Sequence, residues 1–263
     1  MKDAPTLSAQ LAEVWARLDL VMDPELDEAV TDMGFIEAVT ITGPATVEIA
    51  FRLPTYWCSP NFAFLMATDI KREVESLAWV ARAIVRLEDH NSGPELNEVV
   101  NAGGKFAEVF PDLPEGENLS ALREKFDQKA FQRRQEVVIK ALVALGHAPA
   151  AIVDLTLAEL DAQHFADPED ARQKTRYRDL LVAKDLASAP AHKALPTWAG
   201  DAITAEGFRE YMGLLRSVRI NMEFSGSLCR GLKASRYKEA DMSAGGVPVL
   251  VDFIDAPMAG HNR

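Results

Sequence analysis

The spacing of hydrophobic positions switches between helical and strand-like periods along the first ninety residues. Leu11, Val14, Trp15 and Leu18 recur at three and four residues behind Ser8, a residue type that caps helices. That helix should end before Asp23-Pro24, because the residue preceding a proline avoids helical backbone. Ile36 to Ile41 and Thr46 to Leu53 flank Gly43-Pro44-Ala45. The second run alternates, with Val47, Ile49, Phe51 and Leu53 on one face and Thr46, Glu48 and Arg52 on the other, as in a β-hairpin with one buried face. Phe62, Leu65, Met66, Ile70 and Val74 return to helical spacing. Trp79 to Glu88 then alternates again, setting Trp79, Ala81, Ala83, Val85 and Leu87 opposite Arg82, Arg86 and Glu88. The order αββαβ predicts a small α+β layer, a three-stranded sheet with helices on one face.

Polar and glycine-rich stretches separate these elements. Asp23-Pro24-Glu25 turns the chain, one short helical turn is expected after it, and Asp32-Met33-Gly34 supplies a residue able to take positive φ. His90 to Asn97 reads as a loop, and Val99 to Phe110 as a short helix interrupted by Gly103-Gly104. Pro111, Pro114 and Gly116 mark a linker. Beyond it Asn118 to Leu145 is one long helical pattern stopped at Gly146, as a C-cap glycine stops a helix. Helices are expected at Pro149 to Gln163, Pro168 to Ala187 and Thr204 to Val218. Ile220 to Phe224 fits strand or helix, Ser225 to Gly231 a glycine-rich turn around Cys229, and Val247 to Val251 an edge strand or a partner-binding segment. The chain therefore divides into an α+β domain over 1–112 and a mainly helical domain over 118–263.

Composition narrows the classes of function. Of 263 residues 48% are hydrophobic, enough for a sizeable core. Forty acidic residues against 28 basic give a formal net charge of −12, which argues against nucleic acid or an anionic membrane as partner. No apolar run reaches the ~18 residues of a membrane span, and Met1 to Gln10 lacks the pattern of a secretion signal, so a cytoplasmic protein is expected. Two cysteines, Cys58 and Cys229, make no disulfide framework and are expected as free thiols or metal ligands. Phosphate-binding loops, nucleophile elbows, His-Glu-x-x-His pairs, Cys-x-x-Cys pairs and the Glu-x-x-His signature of diiron bundles are all missing, so no enzyme is expected.

Cys58 ends a strand-like run and precedes a helix, where unpaired N–H groups favour a thiolate suited to iron; packing as a small hydrophobe is the alternative. Asp23 and Glu25 are candidate oxygen ligands, or Asp23 caps the turn before Pro24. Thr55, three residues before Cys58, can orient the thiolate or close a turn. His90 with Glu95 can form a mixed nitrogen and oxygen metal site, or lie in a solvated loop. Cys229 can meet Cys58 as a second thiolate or simply pack.

Asp23-Pro24-Glu25-Leu26, Met33-Gly34-Phe35-Ile36, a hairpin and Thr55-Tyr56-Trp57-Cys58-Ser59, in that order, resemble the MIP18 family of iron-sulfur cluster assembly factors, also called the DUF59 or SufT-like family. The resemblance covers about residues 8 to 110. It departs at Trp57-Cys58-Ser59-Pro60, where an indole flanks the cysteine and the proline is deferred by one position. The rest of the chain resembles a longer subgroup associated with gene clusters of bacterial diiron monooxygenases, through Asn97 to Gly103 and Cys229 to Leu232. These resemblances imply an accessory protein that binds or relays transient iron or an iron-sulfur cluster through Cys58 and docks a client metalloenzyme, alongside other assembly proteins. A cluster usually takes about four protein ligands, so two cysteines imply sharing, across a homodimer, with a partner or through mixed ligands. Two rivals remain: a metal-free adaptor in which Cys58 is structural, and an enzyme with Cys58 as nucleophile and His90 as base.

Overall fold

The computed structural model describes residues 6–110 and 119–237. Helix α1 (Leu7–Leu18) begins at Thr6, whose hydroxyl accepts the Ala9 N–H at 3.3 Å, so the cap lies two residues before Ser8. Strands β1 (Ile36–Ile41) and β2 (Thr46–Arg52) are antiparallel. Helix α2 (Pro60–Glu75) crosses over to β3 (Arg82–Glu88), which runs parallel to β2 in the order β1-β2-β3. The register sets Val47 beside Ala83, Ile49 beside Val85 and Phe51 beside Leu87, and all six are buried. The opposite face carries Arg52–Glu88 and Arg86–Glu48 ion pairs at 3.2 and 3.9 Å. The expected αββαβ order and mixed α+β class are thus seen, with one correction. The third strand starts at Arg82, not Trp79: a turn places Val80 in the core, leaves Ala81 exposed and turns the Trp79 indole to Glu13, 2.7 Å away.

The outer edge of β3 is paired by side chains. Helix α3 (Gly93–Ala102) lies alongside it, starting in what reads from sequence as a loop; α4 (Phe106–Val109) follows. Asn97 Oδ1 accepts the Leu87 N–H at 2.7 Å and its Nδ2 donates to the Leu87 carbonyl at 3.1 Å. Asn101 does the same to Val85 at 2.9 and 2.8 Å. Glu75 accepts the Ala83 N–H and Lys71 donates to its carbonyl. Three alternate residues of the edge, Ala83, Val85 and Leu87, therefore find their backbone partners on helices, which satisfies the polar groups an edge strand exposes.

The second half is helical: α5 (Leu119–Ala144), α6 (Pro149–Asp154), α7 (Leu157–Ala162), α8 (Pro168–Ala183) and α9 (Phe208–Arg236). Helix α5 stops where expected, with Gly146 at φ +91° and the His147 N–H returning to the Leu142 carbonyl. The single helix expected at 149–163 is two, because Thr156 and Glu159 form a reciprocal capping box that starts a new one. The main correction concerns α9. Residues 220–231, expected as strand or helix and then a turn, continue a 29-residue helix. Gly226 is buried there, and a Cβ on it would lie 3.2 Å from Glu28 Oε1; the glycine permits close approach rather than a bend. The linker prolines and the Val247 to Val251 segment lie outside the described residues.

Two hydrophobic clusters form. One joins α1, the sheet, α2 and α3; the other joins α5 to the first half of α9, with Phe131, Leu142, Tyr177 and Leu215 buried in it. Helix α5 ties them: Phe126 packs edge-on to Phe62 at 5.2 Å, and Arg123 takes both Asp69 oxygens at 2.9 and 3.1 Å. Deeper in, Arg134 clasps both oxygens of the buried Asp27, its Nε at 2.9 Å, while Arg133 reaches the same carboxylate at 3.4 Å. Removing one member of a buried pair strands the other, at a cost of about 3–5 kcal/mol. Arg134→Met should therefore lower the urea midpoint sharply. Adding Asp27→Asn, which keeps a residue tolerant of the +53° φ at that position, should make the pair of substitutions cost much less than the sum of the singles.

Candidate functional site

The Asp23 loop is held by its own backbone and by one carboxylate. Asp23 N–H donates to the Glu28 carbonyl at 2.8 Å, and Asp27 N–H donates back to the Asp23 carbonyl at 3.0 Å. Asp23 Oδ1 accepts the N–H groups of Glu25 and Leu26 at 2.9 and 3.0 Å, so the turn-capping role is present. A surface turn would suffice for that, yet Asp23 is buried. Burial pushes its pKa up to about 6; the two N–H groups oppose the rise and the charges of Glu25 and Glu28 add to it. Asp23 also lines a cleft of about 190 Å³ where α2 and α5 meet the loop, beside Asp69, Arg123 and Arg134.

Cys58 sits between β2 and α2, half-buried against the first hydrophobic cluster. Its N–H bonds the Thr55 carbonyl at 3.4 Å and its Sγ lies 3.1 Å from Thr55 Oγ1. Thr55 thus both closes the turn and touches the sulfur; when the thiol is ionised the hydroxyl is the donor. Ser59 and Pro60 open α2 immediately afterwards, with proline in the first turn where its missing N–H costs nothing. The adjacent indole does not cover the thiol, since Trp57 is 74% exposed.

His90 holds this loop from beneath. Its Nδ1 accepts the Ser92 N–H at 3.2 Å, which leaves the ring proton on Nε2, and Nε2 donates to the Cys58 carbonyl at 2.8 Å. Asn91 N–H adds a bond to the Tyr56 carbonyl at 2.9 Å. Burial lowers the imidazole pKa, the Cys58 carbonyl opposes this and the Arg236 guanidinium contributes to it. Both ring nitrogens are engaged with backbone, so His90 faces the peptide of Cys58 rather than a metal or a proton on sulfur. Glu95 is exposed in the first turn of α3. Among the described residues no three His, Cys, Asp or Glu side chains close on one point as metal ligands would.

The last turns of α9 complete the surroundings. Arg230 pairs with Glu28 at 2.5 Å, Lys233 with Glu37 at 3.5 Å, and Arg236 with Asp89 at 2.8 Å. The Tyr237 hydroxyl reaches the Leu53 carbonyl and Asp89, with Arg52 stacked over its ring at 4.7 Å. Between these contacts Cys229 packs on the first cluster, within electrostatic reach of Asp23, Cys58 and Glu25. Burial raises its pKa to about 11, with Asp23, Cys58 and Glu25 adding to the rise and Arg230 opposing it. Two earlier segments thus bring Asp23, Glu25 and Cys58 within electrostatic reach of Cys229, and Thr55 touches the Cys58 sulfur. The latch residues Arg230, Arg236, Tyr237 and Asp89 carry no local sequence signal; only the basic character of the end of α9 hints at them.

Residues 11–85 match the family described as iron-sulfur cluster assembly protein. The match takes in Asp23, Glu25, Thr55 and Cys58, and ends before His90, Glu95 and Cys229. No curated protein and no solved structure matches the chain. No described helix is long and apolar enough to cross a membrane.

Two measurements address this geometry. An acid whose pKa is higher folded than unfolded lowers stability above the folded value, and the loss is relieved as pH falls to the unfolded value. Asp23→Asn keeps an oxygen for the two N–H groups and should stabilise the chain at pH 7.5 by up to about 3 kcal/mol. In urea titrations that gain should shrink between pH 6 and 4 and vanish below. Thr55→Val removes a bond to sulfur worth about 1 kcal/mol. Alkylation of Cys58 at neutral pH should slow by roughly fivefold, followed by peptide mass spectrometry.

Proposed function

We propose that this protein is an accessory factor of iron-sulfur cluster assembly that holds iron or a cluster as transient cargo and passes it to a client metalloenzyme. The observation that carries the reading is that Asp23, Glu25 and Cys58 all lie in the segment matching an iron-sulfur assembly family, with Cys229 of α9 within electrostatic reach of each. The match itself supports an assembly-related role and a family that is not a catalytic type.

The donor set suits such cargo. Thiolates and carboxylates are ligands for iron, and a cation would relieve the burial and crowding of negative groups that raise the pKa values of Asp23 and Cys229. Two thiols without a third ligand closing on the same point are too few to keep a cluster, which usually takes four. Incomplete ligation fits a protein that must release what it carries: the client's ligands complete the shell and displace Cys58. Trp57, exposed beside the cysteine, is the type of side chain that anchors a partner. A diiron monooxygenase is the client class we favour, on the resemblance of the C-terminal half.

Anaerobic reconstitution with ferrous iron and sulfide distinguishes this reading from a metal-free adaptor. The native chain should bind iron and develop visible absorption, Cys58→Ala should lose at least about tenfold of it, and Cys229→Ala should bind more weakly than native. Equal, negligible binding by native and Cys58→Ala would leave the adaptor, the reading favoured by the lack of a third converging ligand.

A further inference from the structure

Helix α9 turns one face to Cys58 and the opposite face to solvent, and the solvent face is unusual. At 100° per residue, Gly213, Ser217, Ile220, Phe224, Ser227, Leu228, Gly231 and Ser235 share a single sector of the helix. All eight are exposed and none is charged, in a chain of which 26% of residues are charged. Phe224 is 72% exposed, Leu228 55% and Ile220 51%. A lone exposed leucine needs no explanation, but an uncharged strip along six helical turns does.

The glycines add a second observation. Gly213 and Gly231 have nothing within 4 Å of where a Cβ would stand. Glycine is the poorest helix former after proline, and among the described residues no contact accounts for it at either place. Small residues on an exposed helix let a second backbone come close.

The order of residues along the strip identifies what comes close. Counting outward from Phe224, four residues either way lie Ile220 and Leu228, seven either way Ser217 and Gly231, and eleven either way Gly213 and Ser235. Large apolar faces large apolar and small faces small, at the four-three-four spacing of a helix seam. Ser227 is mirrored by the polar Asn221 at the strip's margin; the other seven read alike in both directions, and such a strip is complementary to itself when one copy is turned end for end, as two-fold symmetry requires. We propose that α9 is a self-association surface, on which a second copy of this chain packs its own α9 antiparallel with Phe224 on the two-fold axis.

The area sets the strength. Gly213 to Ser235 spans roughly 33 Å, and a strip about 10 Å wide covers roughly 330 Å² per copy. That is below the roughly 800 Å² per partner of stable complexes, so the dimer is weak and concentration-dependent. Because the contact is uncharged and the chain carries a net charge of −12, added salt strengthens it by screening, opposite to a complex with a basic partner. The pairing leaves the Cys58 side of α9 untouched and is independent of the cargo reading.

Sedimentation of the full chain over a hundredfold range of concentration tests this. The native protein should move from the mass of one chain toward two, further at high salt, while Phe224→Glu, a change at an exposed site that leaves the fold intact, should remain one chain throughout. Orientation is read by cysteine cross-linking under mild oxidation, with native protein as the control for Cys58 and Cys229. Phe224→Cys meets its own copy on the axis and should link, whereas two Ile220→Cys sites lie about 12 Å apart and should link at least tenfold more slowly. A single-chain mass at every concentration, a mass unaltered by Phe224→Glu, or equal linking at both sites would overturn the proposal.

Discussion

The Asp27 carboxylate is tolerable in a buried position only because Arg134 presents two N–H groups to its two oxygens and Arg133 adds a third contact. The packing of the Asp23 loop against α5 depends on that arrangement. Asp27 belongs to the turn whose first carboxylate, Asp23, is also buried, and its own φ of +53° is part of the turn's closure. Helix α5 therefore does more than continue the chain: it fixes the acidic loop and lines a cleft with it. The hydrophobic cluster of the second half, built on Phe131, Leu142 and Tyr177, holds α5 at the required position.

The cysteine loop is suspended from the other side. His90 and Asn91 bind the carbonyls of Cys58 and Tyr56, and Asp89, one residue earlier, receives Arg236 and Tyr237 from the end of α9. The connection between β3 and α3 thus couples the far end of the chain to the backbone of Cys58. By contrast, α9 meets the first half mostly through ion pairs on exposed or half-exposed side chains, of the kind that contribute little each in water. A buried pair sets the acidic loop, and a set of weak ones sets the covering helix.

Much of the fold was legible because it is written in local period. The alternation from Thr46 to Leu53 and the helical spacing from Phe62 to Val74 specify hairpin and crossover without help from the rest of the chain. The turn-capping of Asp23 and the turn closure at Thr55 were also readable, since both follow from neighbours two or three residues away. Helix α9 was not, because glycine and serine weaken helix propensity over 225–231, and packing against the first half overrides it. His90 was misleading for a different reason: its partner is a backbone carbonyl 32 positions away, and no residue type announces that. Asp27 and Arg134 are 107 positions apart and signal nothing singly.

Asparagine side chains along the outer edge of β3 have a consequence for how the sheet can be extended. An amide presents the same donor and acceptor as a peptide group, so Asn97 and Asn101 occupy the places a fourth strand would use. Among the described residues the remaining outer edge is that of β1, whose pairing is interrupted by a bulge between Ile36 and Ala38. One margin is filled by mimicry and the other is irregular. The hazard is confined to moments when α3 is undocked, during synthesis or local opening, when Ala83 to Leu87 would offer a bare template to another chain. Helix α3 thereby acts as the guard against misassembly of the sheet that leads into the cysteine loop.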